Sequence, residues 1–174
     1  MTLLRSAAAI LVLASATPAW SQSAEALAAR EVTPAEQAYL AEHSTEIVGQ
    51  RVDEVMVGLR PMSTMMHDVF DPSLHDEIDA TVIGYFESQR PVIRDEMMRA
   101  LAGSMTLQEM QGVGLNTRRS LEISAFVSAE MQALGQRMAV GAIRHLCSVV
   151  QNRAPDECAV LLDRANQYEA MLAG

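Results

Sequence analysis

The stretch TRRSLEISAFVSAEMQALGQRMAVGAIRHLCSVVQ, residues 117–151, carries apolar side chains at Ile123, Val127, Met131, Leu134, Met138 and Leu146. Steps of three or four residues, or twice four, place these on one face of an α-helix, and no proline interrupts the run. The spacing predicts a single long helix. Gly135, Ala139 and Ala142 are small enough to let a neighbouring helix approach it closely. Downstream, Asn152-Arg153-Ala154-Pro155 reads as a turn, and 156–172 as a last helix with Val160, Leu161 and Leu162 facing inward. A long helix, a four-residue turn and a second helix make an antiparallel hairpin.

Cys147 and Cys158, the only cysteines, flank that turn. In a helical hairpin the two positions face each other across the junction, which predicts a disulfide staple in an oxidising compartment. A redox pair would more naturally be spaced Cys-x-x-Cys. A zinc site would need further ligands, and only His145 is close in sequence.

Upstream the pattern is helical throughout. Thr33-Pro34-Ala35-Glu36 is a capping box with proline in the first turn, opening a helix expected to end near His43. Ser44-Thr45-Glu46 reads as the start of a second helix, interrupted by Pro61. Asp71-Pro72 is another start, with Leu74, Ile78, Val82, Ile83 and Phe86 on one face. Pro91 opens the next helix, and Gly103 is placed to end it in a left-handed conformation. Thr106-Leu107-Gln108-Glu109 is a second capping box, followed by Gly112 and Gly114. No alternating strand pattern of useful length appears. The expected fold is all-α, a compact bundle of five to seven helices ending in a disulfide-stapled hairpin.

The amino-terminal segment reads differently. Arg5 precedes a short apolar run, 6–19, and Ala19-Trp20-Ser21 supplies small residues at both positions read by a signal peptidase. The run is shorter than the roughly 20 residues that span a bilayer. The expectation is a cleavable secretory signal over 1–21, an arm over 22–32 and a single helical domain over 33–174, delivered to the periplasm or the medium without a membrane anchor. Removing Arg5 with the signal takes the formal net charge from −9 to −10. Such a body repels nucleic-acid phosphates. Every basic residue is arginine, which excludes lysine Schiff bases and the lysine of phosphate-binding loops.

Candidate chemistry is sparse. Met62, Met65, Met66 and His67 carry thioether and imidazole donors suited to Cu(I), although the same spacing serves core packing. His67, Asp71 and His75 stand four apart, so an unbroken helix would align them for metal or acid–base work. His43 lies between Glu42 and Glu46, and His145 reads as a partly buried structural histidine. Paired acids occur as Asp53-Glu54, Asp76-Glu77 with Asp79, and Asp95-Glu96; adjacent carboxylates point about 100° apart on a helix and do not form a dyad. No nucleophile elbow, phosphate loop or His-Glu-x-x-His occurs.

Thr106, Glu109, Met110 and Val113 resemble the Thr-x-x-Glu-Leu-x-x-Ile lead-in of a family of exported, all-helical bacterial domains of unknown function. That family continues Phe-Tyr-x-Ser-Pro-x-Gly, where this chain has Asn116-Thr117-Arg118-Arg119-Ser120. The resemblance implies a periplasmic helical fold and supplies no cofactor, activity or site residues. The leading functional expectation is a non-enzymatic envelope protein that binds a protein partner or hydrophobic ligand, without cofactor. The alternatives are soft-metal binding through Met62, Met65, Met66 and His67, and an enzyme whose site is assembled from distant residues. An exposed apolar patch would favour the first.

Overall fold

The computed structural model describes residues 31–173. The expected signal over 1–21 and nearly all of the expected arm over 22–32 lie outside the described residues. Those described are all-α, with no strand: α1 (Pro34–Leu59), α2 (Pro61–Met66), a 3-10 turn (Pro72–Leu74), α3 (His75–Ser88), α4 (Arg90–Ser104), α5 (Leu107–Met110), α6 (Thr117–Val150) and α7 (Pro155–Ala173). None of these helices is long and apolar enough to cross a membrane.

Helix α1 opens at the expected capping box. The Thr33 amide donates to Glu36 Oε2 at 2.9 Å, and the Glu36 amide to Thr33 Oγ1 at 3.3 Å. The expected break near His43 does not occur, and α1 continues to Leu59. Ser44, read as a cap, instead turns its hydroxyl back to the Ala41 carbonyl at 3.5 Å. Leu40, Val48, Val52 and Met56 form one buried stripe through the same point, so burial favours continuing the helix. Helix α4 ends one residue past Gly103, at Ser104, but Gly103 itself is helical and not left-handed. The positive-φ glycines are Gly112 and Gly114, at 80° and 81°, in the connection between α5 and α6.

The contacts gather into two compact units, whose division falls inside α1 and inside α6. One comprises Val55–Arg90 with 135–173. Pro61 occupies the first turn of α2, where its missing N–H costs nothing. Asp71 caps the 3-10 turn through the Ser73 amide. Leu74, Ile78, Val82 and Phe86 are buried as the spacing predicts, whereas Ile83 is exposed. The hairpin of α6 and α7 buries Leu146, Val150, Ala154, Leu161 and Ala165. Of the three residues expected inward on α7, Leu161 is buried, Leu162 half-buried and Val160 exposed. Arg144 ties the two helices together, donating to Glu169 Oε2 at 2.6 Å and Asn166 Oδ1 at 2.9 Å. Arg153, in the turn, pairs with Glu77 of α3.

The second unit comprises 31–54 with Pro91–Leu134. Its buried residues include Leu40, Val48, Ile93, Met97, Ile123 and Leu134. Arg119 is the polar joint here, donating to Glu109 Oε1 of α5 at 2.7 Å and to the Ser104 carbonyl at the end of α4 at 2.6 Å. Glu36, buried in the first turn of α1, also accepts from the Leu107 amide at 3.1 Å, so one carboxylate caps two helices.

Candidate functional site

The methionine cluster lies on α2 and just beyond it. Met66 is fully buried, and Met62 and Met65 are half-buried. His67 follows at the helix end. Its Nε2–H donates to Asp79 Oδ1 at 3.0 Å, and its ring stacks on His75 with centroids 4.0 Å apart and planes 3° from parallel. His75 Nε2–H donates to the His67 carbonyl at 3.2 Å. With each Nε2 engaged and the rings face to face, the remaining in-plane lone pairs do not converge on one ion. Met66 sits in the core, where the packing role also predicted for this spacing is met. Among the described residues, no group of three or more His, Cys, Asp or Glu side chains is placed to hold a metal.

Of the trio His67, Asp71 and His75, the structure joins the two histidines and leaves Asp71 at its turn. There the Ser73 hydroxyl and amide donate to Asp71, at 2.6 and 2.9 Å, and hold its carboxyl below the usual range. Asp79 takes the place expected of Asp71. Its sequence signal is the four-residue step from His75 on an uninterrupted helix.

His43, whose place between Glu42 and Glu46 suggested a contact with those acids at a helix end, has another partner. It stacks on Tyr39 and contacts the Tyr39 carbonyl through Nδ1 at 3.0 Å, instead of engaging Glu42 or Glu46. His145 is exposed, not partly buried, and stacks on the Tyr85 ring at 5.5 Å. Of the adjacent acids, Glu54 pairs with Arg51 at 2.8 Å, Glu77 with Arg153, Asp95 with Arg94 at 3.3 Å and Glu96 with Arg99 at 2.5 Å.

Cys147 and Cys158 are brought together, both essentially without solvent exposure. They approach to 2.9 Å and are not bonded, against about 2.05 Å for a disulfide. Burial pushes both thiols above the usual range.

No protein-family model matches the sequence, and searches of curated proteins and of solved structures return no match. The chemistry must be read from the chain itself.

The remaining feature is apolar. Val113, Leu115 and Leu121 are 57%, 37% and 57% exposed, all within nine residues of the α5–α6 connection and the start of α6. Isolated exposed apolar residues are ordinary, and Val57 and Met171 are exposed as well, but here three fall within nine residues. The turn that presents Val113 and Leu115 is built on Gly112 and Gly114, whose positive φ a side chain would strain, and Leu121 follows on α6. The sequence marked this segment through its glycines and its capping box. It did not mark which apolar residues are left outside.

Proposed function

We propose that this chain is an exported helical protein that acts by binding, through the apolar surface at Val113, Leu115 and Leu121, and is not an enzyme. The exposure of those three residues carries the reading. A partner covering them would regain roughly 25 cal/mol for each Å² of apolar surface removed from water. A protein partner or a hydrophobic ligand fits this surface, and the acidic body disfavours nucleic acid. The segment 1–21 supports delivery to the periplasm, and the resemblance of Thr106–Val113 to an exported helical family points the same way. In that compartment Cys147 and Cys158 form a disulfide that staples the α6–α7 hairpin, a reading supported by their burial side by side.

Two readouts on one preparation test this. Native mass spectrometry of protein recovered from the compartment of export is expected to show a chain beginning at Gln22, lighter by two hydrogens than the dithiol form. A mass that retains Met1 would reject cleavage after Ser21, and failure to find the chain in that compartment would reject export. Titration with the fluorescent apolar probe anilinonaphthalene sulfonate is expected to show binding that falls severalfold in the Val113→Ser, Leu115→Ser, Leu121→Ser variant. All three substitutions are at exposed positions, so helix content should be kept. Unchanged probe binding by a folded variant would reject this surface as the binding site.

A further inference from the structure

We propose that the Cys147–Cys158 pair exchanges electrons only while the α6–α7 hairpin is open, so that closing the hairpin locks in whichever oxidation state the pair then has. This rests on the staple reading above, and concerns when the bridge can form or break.

Oxidation of the pair needs a partner disulfide, on a small molecule or another protein. One cysteine thiolate attacks it, forming a mixed disulfide and releasing the partner's first sulfur as a thiolate. The second cysteine then displaces the partner's other sulfur. Two electrons pass to the partner, and the two cysteine protons go to solvent or to the released thiolates. Each displacement needs three sulfurs nearly in line, so the external sulfur must reach a cysteine from outside.

In the folded chain it has no approach. Cys147 is 1% exposed and Cys158 0%. Leu146, Val150, Ala154 and Leu161, their neighbours along the hairpin, are also buried. Burial further disfavours the thiolate that would have to attack. Arg144 with Glu169 and Arg153 with Glu77 hold the same unit closed from outside. An oxidant therefore meets the pair before α7 docks, or after local unfolding releases it. In this state the pair does not turn over as a redox catalyst, because each cycle would require opening the hairpin.

The test uses the mature chain folded in reduced form and exposed to excess oxidised glutathione, with and without denaturing guanidinium. Aliquots are quenched by alkylation and weighed intact. Without denaturant, both thiols are expected to persist, with oxidation at least on the order of a hundredfold slower than in denaturant. A Leu161→Ala variant, with a loosened hairpin, is expected to oxidise faster than wild type without denaturant. Oxidation of the native chain at the denatured rate would overturn the proposal. The converse arm treats the oxidised chain with reductant, and loss of the bridge from the native chain at the denatured rate would overturn it equally. A chain recovered from its compartment with two free thiols, yet inert to oxidant while folded, would sink the staple reading and leave the lock standing.

Discussion

Gly141 shows how much one missing side chain decides. A Cβ built there would stand 2.0 Å from the Tyr85 hydroxyl oxygen and 2.9 Å from Cζ, so the ring lies directly against α6. Nothing in the periodicity of 117–151 singles out Gly141, and the small residues that it did suggest were Gly135, Ala139 and Ala142. Gly135 has open space where its Cβ would be. Gly141→Ala is expected to destabilise by about 1–2 kcal/mol in urea unfolding, because overpacking outweighs the gain in helix propensity. Tyr85→Phe in the same background should restore part of the loss, by removing the nearest atom. Additive losses would show that the two positions are not in contact.

Glu109 is a residue whose charge bears on acid stability. The Arg119 guanidinium, helped by the Thr106 amide, holds its carboxyl down to about 2 from an ordinary 4.5. A depressed folded value means stability that is present in full above 4.5 and is lost as pH falls from there towards 2. The pair is partly open to solvent, with Arg119 25% exposed, so screening cuts its contribution to about 1 kcal/mol. Urea midpoints across that range should fall more steeply for wild type than for Glu109→Gln. Parallel curves would remove this pair from the account. Glu109 was legible as one half of a capping box, and Arg119, ten residues later, was not.

At the scale of elements, most starts were legible and the stop of α1 was not. Capping boxes and prolines are local: Thr33 and Glu36, Asp71, and Thr106 and Glu109 each accept from amides within three residues of themselves, and Pro72 needs no partner for an N–H it lacks. A stop depends on what happens to the face being buried. Ser44 carries a good cap signal, yet the buried stripe from Leu40 to Met56 runs through it and the helix continues. Thr45→Pro discriminates the two cases. Proline would be tolerated at the first position of a new helix, but inside a continuous α1 it costs about 3 kcal/mol or more. A marked fall in thermal midpoint and helical circular dichroism is expected. A variant as stable as wild type would mean that the chain does break at Ser44.

For the whole molecule, the sequence by itself determined the helical class, the order of most elements, the hairpin at 152–155 and the nearness of Cys147 to Cys158. These follow from helical periodicity, caps, prolines and a short turn, all of which act over a few residues. Charge and the lack of lysine are likewise properties of composition. Only the tertiary structure decided that His67 meets Asp79 and His75, that Arg119 joins Glu109 to the Ser104 carbonyl, and that Tyr85 rests on Gly141. It also decided which apolar residues remain outside: Val113, Leu115 and Leu121 are exposed while Ile123, two residues further on, is buried. Periodicity ranks positions around one helix. Which of them are covered depends on the elements packed against it, and those contacts are set by parts of the chain far away in sequence.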